Sequence, residues 1–146
     1  MEQVKLTLAI FREIGIIQER MDAILKDRLP ADLPPTQFKL LNHLIFTTNT
    51  NETASELAHN FHVSLSAMSQ LITQLTKKGF VNLHTRSQDA RKKTIVITEL
   101  GRDAHQKASA TIDIDLNSFS KKFKLTDTQQ LYKLSNQFRL FFEDHT

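Results

Sequence analysis

The sequence reads as mainly α with a small β-hairpin, and three features carry that reading. Apolar residues recur at steps of three and four through most of the chain. The period changes to alternation once, just after Gly79. Hydroxyl residues suited to helix N-caps stand at the joints between the helical stretches. The 146 residues, 40% hydrophobic with 3 Gly and 3 Pro, are enough for one core with helical extensions and exclude a disordered or collagen-like chain.

Leu6, Ile10, Ile14, Ile17, Met21 and Ile24 define one amphipathic helix over residues 2–28, ended near Leu29-Pro30. Pro34-Pro35 opens a second helix, because the first-turn N–H groups that proline lacks have no helical partner; Phe38, Leu41, Leu44 and Ile45 are its buried stripe. A polar loop over 47–51 follows. Thr53-Ala54-Ser55-Glu56 is a capping box that starts a short helix, and Ser64 caps the next, which runs to Lys78 and stops at Gly79. Residues 80–86 and 92–97 alternate as strands around the polar tip 87–91. Thr98 caps a long helix to about Phe119, and Thr126-Asp127-Thr128-Gln129 reads as a second capping box before a terminal helix carrying Leu131, Leu134, Phe138, Phe141 and Phe142. The order is four helices, a hairpin and two helices.

Composition removes several function classes. Without Cys there is no disulfide framework, thiolate zinc site, iron–sulfur cluster or thiol sensor, and a reducing compartment is expected. The N-terminus lacks the apolar core of a signal peptide, and no apolar run approaches the roughly 18 residues of a membrane span, so a cytoplasmic protein with no membrane partner is expected. No Gly-rich phosphate loop or nucleophile elbow occurs, which argues against an enzyme and against a cofactor. His59-x-x-His62 has a spacing that could present two imidazoles to zinc, but the pair straddles a turn and no third ligand is evident, so no metal is expected.

The informative stretch is 53–98: two short helices around a tight turn, then a hairpin, the parts of a winged helix-turn-helix. Met68, Leu71, Ile72 and Leu75 give the second helix its docking face. Ser64, Ser66, Ser69, Gln70, Thr73, Gln74 and Lys77 remain on the other side, hydroxyls and amides suited to base edges and phosphates. A Gln there can offer adenine a donor and an acceptor together. The whole chain has a net charge of only +3, yet residues 77–93 hold Lys77, Lys78, Arg86, Arg91, Lys92 and Lys93 against Asp89. That is a local +5, leaving −2 elsewhere, and it puts positive charge where a duplex-binding wing neutralises phosphate.

Leu57-Ala58, the run Ser64-x-Ser66-x-Met68-Ser69-x-Leu71-Ile72-x-x-Leu75-x-Lys77-Lys78-Gly79-Phe80-Val81, then Asp89-x-Arg91 and Ile95-x-Ile97-Thr98-x-x-Gly101 together resemble the MarR family of transcriptional regulators. Leu33-Pro34-Pro35-Thr36-Gln37-Phe38-x-x-Leu41 is similar to that family's entry into its second helix, and adds Thr36 to the candidate DNA contacts. The resemblance implies a homodimer built from residues 1–32 and 99–146, with Leu6, Ile10, Phe119, Phe123, Leu134, Phe138, Phe141 and Phe142 at its interface, and a DNA-binding region over 33–98. It implies that helix 64–78 enters the major groove and the wing tip the minor groove, with Arg91 inserted, Asp89 orienting it, and Lys92 on phosphate. Leu83 departs from the family, which often has arginine there; Arg86 is the nearest substitute. A small aromatic or phenolic effector is also implied, with Met21, Arg28, His43 and Phe46 as candidate lining.

The expected function is a sequence-specific regulator, a repressor, bound as a homodimer to a pseudo-palindromic double-stranded DNA operator and released by such an effector. Two other readings stay open: a winged helix used as a protein–protein interaction module, and a non-specific DNA-binding protein.

Overall fold

A computed structural model describes residues 2–86 and 89–145, except for the side chains of 86–91. The chain gathers into two units, Met1–Thr111 and Ile112–Thr146.

The first unit contains α1 (Glu2–Arg28), α2 (Pro35–Phe46), α3 (Ala54–Asn60), α4 (Leu65–Lys77), β1 (Val81–Arg86), β2 (Asp89–Ile97) and α5 (Glu99–Ala110). Local chemistry sets most of these boundaries. Thr53 and Glu56 form the complete capping box, each side chain taking the other's backbone N–H at 3.3 Å. Ser64 Oγ accepts from Ala67 N, and Thr98 Oγ1 from Gly101 N, both at 3.0 Å. At the end of α4, Gly79 takes φ +77°, and the bonds Phe80 N to Leu75 O and Gly79 N to Thr76 O close a Schellman motif. The Phe80 carbonyl then accepts from Thr98 N at 3.0 Å. A Cβ on Gly101 would lie 2.2 Å from that same oxygen, so only glycine lets α5 approach this junction.

The core centres on α2, which packs on α1, α4, α5 and β2. Leu40, Leu41, Leu57, Met68, Leu75 and Val81 are fully buried. Leu44 and Ile45, expected in the stripe of α2, are only half-buried; Leu40 and Gln37 occupy the interior instead. The hairpin pairs Val81 with Ile97 and Thr85 with Lys93, then shifts register so that Arg86 faces Asp89. β2 thus reaches back to Asp89, within the stretch expected as the tip. Its other edge is held by the Thr53–Thr94 bridge and the bond from Ile95 N to Glu52 O at 3.0 Å. Stacking of His105 on Phe38, with ring centroids 5.0 Å apart, and a 2.9 Å bond from its Nε2 to Asn42 Oδ1 dock α5 on α2.

The second unit contains α6 (Asp113–Lys122) and α7 (Leu125–Glu143). The single helix expected over 98–119 is therefore two. At the break, both the backbone N–H and the hydroxyl of Thr111 turn back to Ala108 O, and Asp113 and Asp115 supply negative charge to a new first turn. The capping box expected at Thr126 does not form either. Helix α7 begins two residues earlier, from Lys124 without a side-chain cap, which puts Thr126 inside the first turn. Arg139 pairs with Glu143 one turn on. Among the described residues, no helix is long and apolar enough to cross a membrane.

Candidate nucleic-acid interface

The two sides of α4 differ as its periodicity predicts. Met68, Ile72 and Leu75 are buried against the core, with Leu71 half-buried beside them. Ser64, Ser66, Ser69, Gln70, Thr73, Gln74 and Lys77 are all exposed, so one helix face presents the whole expected set. Internal bonds narrow what some of these groups offer. The Ser64 oxygen is committed to the cap. Thr73 donates its hydroxyl to Ser69 O at 2.9 Å and so presents lone pairs outward. Gln74 Oε1 accepts from Gln37 Nε2 at 3.2 Å, which revises the expectation of a two-way amide at that position. Gln70 is exposed, and no such bond constrains it among the described residues.

The basic stretch also divides. Lys77, Lys92 and Lys93 are exposed. Lys78 is not part of that face: its ammonium donates to Asp32 O at 2.5 Å and to Gln37 Oε1 at 2.6 Å, joining the end of α4 to the turn before α2. The backbones of Arg86, Asp89 and Arg91 lie at the paired ends of β1 and β2, while their side chains lie outside the described residues. Leu83, on β1 opposite Ile95, is 46% exposed and puts an apolar group on the wing surface. Thr36 is exposed in the first turn of α2.

The candidate effector residues meet different surroundings. Met21 is half-buried on α1, Arg28 is exposed at its end beside Asp27, and Phe46 is 74% exposed at the end of α2. His43 instead donates from Nε2 to Glu52 Oε1 at 2.7 Å and stands edge-on to Phe61. Glu52, only 3% exposed, also accepts from Asn60 Nδ2 at 2.9 Å. This cluster borders an open cleft lined by Asn49, Glu52, Ser55, Glu56, His59 and Asn60. His59 is exposed on α3, and His62 adopts φ +52° in the turn before α4.

Two residues escaped the sequence reading. Gln37 was legible in principle: Leu33, Gln37 and Leu41 stand four apart, which puts a carboxamide on an apolar face where it must find partners. Glu52 left no such signal, because it follows an irregular polar loop with no period to place it.

Residues 33–93 match the MarR family model. Wild-type MarR from E. coli in its apo form superposes with a TM-score of 0.67 at 23% identity, over 86% of this chain and 93% of that one. The transcriptional regulator BldR from Sulfolobus solfataricus gives 0.71 at 20% identity, over 94% and 99%. A mutant MarR from E. coli complexed with operator DNA gives 0.62 at 22% identity, over 90% and 94%. No curated protein gives a significant match. At these identities the structural likeness is one of fold: the chain shares the winged-helix fold of these structures, and within it residues 33–93 are similar to the MarR family.

Proposed function

We propose that this chain is a cytoplasmic, homodimeric, sequence-specific DNA-binding regulator, a repressor, acting on a pseudo-palindromic operator. The observation that carries this reading is the outward face of α4, where hydroxyls and amides are exposed together with Lys77 while the opposite face is sealed into the core. Such a face suits base edges, and the exposed Lys92 and Lys93 on β2 suit phosphate. Dimerisation through residues 1–32 and 99–146 is supported by exposed apolar side chains: Leu6 on α1, Phe119 on α6, Phe123 beyond it, and Leu134, Phe138, Phe141 and Phe142 on α7. Ile10 is half-buried on the same helix as Leu6. Two-fold symmetry then calls for two half-sites about 34 Å apart.

The reading includes release by a small aromatic or phenolic anion, supported by the exposed ring of Phe46 and the exposed cation of Arg28. Such a ligand lowers DNA affinity only through its preference for the arrangement that does not bind DNA.

A mobility-shift titration at moderate salt tests the proposal, comparing the DNA upstream of the chain's own gene with unrelated duplex. Preference for the former, weakened by a hydroxybenzoate panel, is the expected result. Equal, salt-dependent binding to both would indicate a non-specific DNA-binding protein. A dimer without DNA binding would indicate a protein–protein interaction module.

A further inference from the structure

We infer that Gln37, buried beneath α4 and out of reach of DNA, is a positioning residue that fixes which edge of the Gln74 amide faces the major groove. This inference rests on the DNA-reading role proposed for α4. Gln37 is 5% exposed and lies between Lys78 and Gln74, with its two polar ends 2.6 Å and 3.2 Å from them.

Hydrogen-bond polarity propagates along this relay from its cationic end. An ammonium only donates, so the Gln37 atom facing Lys78 must be the carbonyl oxygen. The other end of that amide is then NH2 and only donates, so the Gln74 atom facing it must be an oxygen. That leaves the Gln74 NH2 group outward on the exposed face of α4. The assignment follows from the chemistry of lysine, and it removes the usual ambiguity of amide orientation. Lys78 is itself held by the Asp32 carbonyl, so the relay is anchored in the turn before α2.

An outward NH2 group reads acceptors. In the major groove guanine (N7 and O6) and thymine (O4) present acceptors and no donor, whereas adenine sets a donor beside its N7 acceptor and cytosine presents only a donor. Gln74 therefore favours guanine or thymine on the strand it faces. Gln37→Glu reverses this preference without touching DNA. The carboxylate keeps Lys78 on one oxygen and offers a second acceptor to Gln74, whose amide must turn over to donate inward and so presents its oxygen to the groove. Cytosine or adenine then becomes the preferred base.

The test starts from sites selected by the full-length chain from random duplex DNA. Affinities are then measured for all four bases at each half-site position. The wild type should show one position where an acceptor base is favoured by about tenfold, the effect of making or breaking one hydrogen bond. Gln37→Glu should invert the order at that position alone, Gln74→Glu should give the same inverted order from the exposed end, and Gln37→Met should flatten it. An unchanged base order in Gln37→Glu, or a uniform loss at every position, overturns the inference and leaves Gln37 a packing role only. If the wild type selects no sequence, the DNA-reading role itself fails. The relay is then judged by 15N relaxation on the free protein: Gln74's side-chain amide should be more rigid than that of Gln70 and loosen in Gln37→Met, and equal mobility of the two wild-type amides overturns it.

Discussion

Removing the Glu52 carboxylate should cost far more stability than a charge beside an exposed loop ordinarily would. Glu52 accepts from His43 on α2 and from Asn60 on α3, and its main-chain oxygen accepts from Ile95 on β2, so one residue joins three elements. A hydrogen bond to a charged acceptor contributes about 1.5–3 kcal/mol net. Both donors stand at the rim, with Asn60 exposed and the His43 side chain 28% exposed, so they regain water when the carboxylate is removed. The lower end of the range applies to each bond, and Glu52→Ala should cost about 3 kcal/mol, a large share of the 5–15 kcal/mol typical of a domain. Glu52→Gln should cost about 1 kcal/mol. Its oxygen can accept from Asn60 while its NH2 donates to His43 in the other neutral tautomer. Urea unfolding followed by circular dichroism measures both, and Asn60→Ala in each background isolates one bond. A cost for Glu52→Ala below about 1 kcal/mol, or equal costs for the two variants, would refute the assignment of the carboxylate as the pin of this junction.

Four other outcomes follow from the same geometry. Burial lowers the pKa of His105 below the ordinary histidine value. The unfolded chain therefore takes up the proton first, and its stability contribution, complete above the unfolded value of about 6.5, is lost as pH falls from there through the lower folded value; His105→Gln should flatten thermal stability measured between about pH 7 and 5. His62 holds φ +52°, a conformation strained for any residue with a Cβ, so His62→Gly should stabilise by about 0.5–1 kcal/mol in chemical denaturation. Lys78→Met should destabilise by about 1–3 kcal/mol, by orphaning Gln37 Oε1, while leaving the salt slope of DNA binding unchanged; Lys92→Ala should do the reverse, lowering the log–log slope by about 0.9 for each phosphate no longer neutralised. Phe138→Asp should give a monomer by sedimentation and abolish preference for a two-half-site duplex over a single half-site.

Most of the helix-turn-helix was legible because its signals are local. A hydroxyl at Thr53 with a carboxylate three residues on, or a glycine after Lys78, acts through bonds within one turn, and the structure forms them as written. The errors arose where local signals compete. Thr126 has a capping sequence, but Lys124 already starts the helix, and the apolar period across 98–119 conceals a break at Thr111, whose backbone N–H and hydroxyl both turn back to Ala108 O. The outward face of α4 was readable from periodicity, since which side chains escape burial is a matter of angle alone. The state of Gln74 was not. Its oxygen is engaged by a residue 37 positions away, and a contact of that range leaves no trace in spacing.

The same amphipathic period has opposite outcomes in α4 and in α7. In α4 the apolar side is covered within the protomer, by α3 and the core, and the polar side is presented. In α7 no residue is buried, and Leu131, Leu134, Phe138 and Phe141 stay exposed at helical spacing. Periodicity therefore specifies which face of a helix avoids water without specifying what covers it. Covering that face with a second copy, as proposed, makes the interface isologous and brings two copies of α4 into one assembly. DNA with two half-sites then binds the dimer more tightly than either protomer, so by mass action the operator favours assembly to the same extent that assembly favours operator binding. A change in the terminal helices can in this way alter DNA affinity through assembly without touching a base contact, whereas Gln37 acts within one protomer, on the amide that α4 presents.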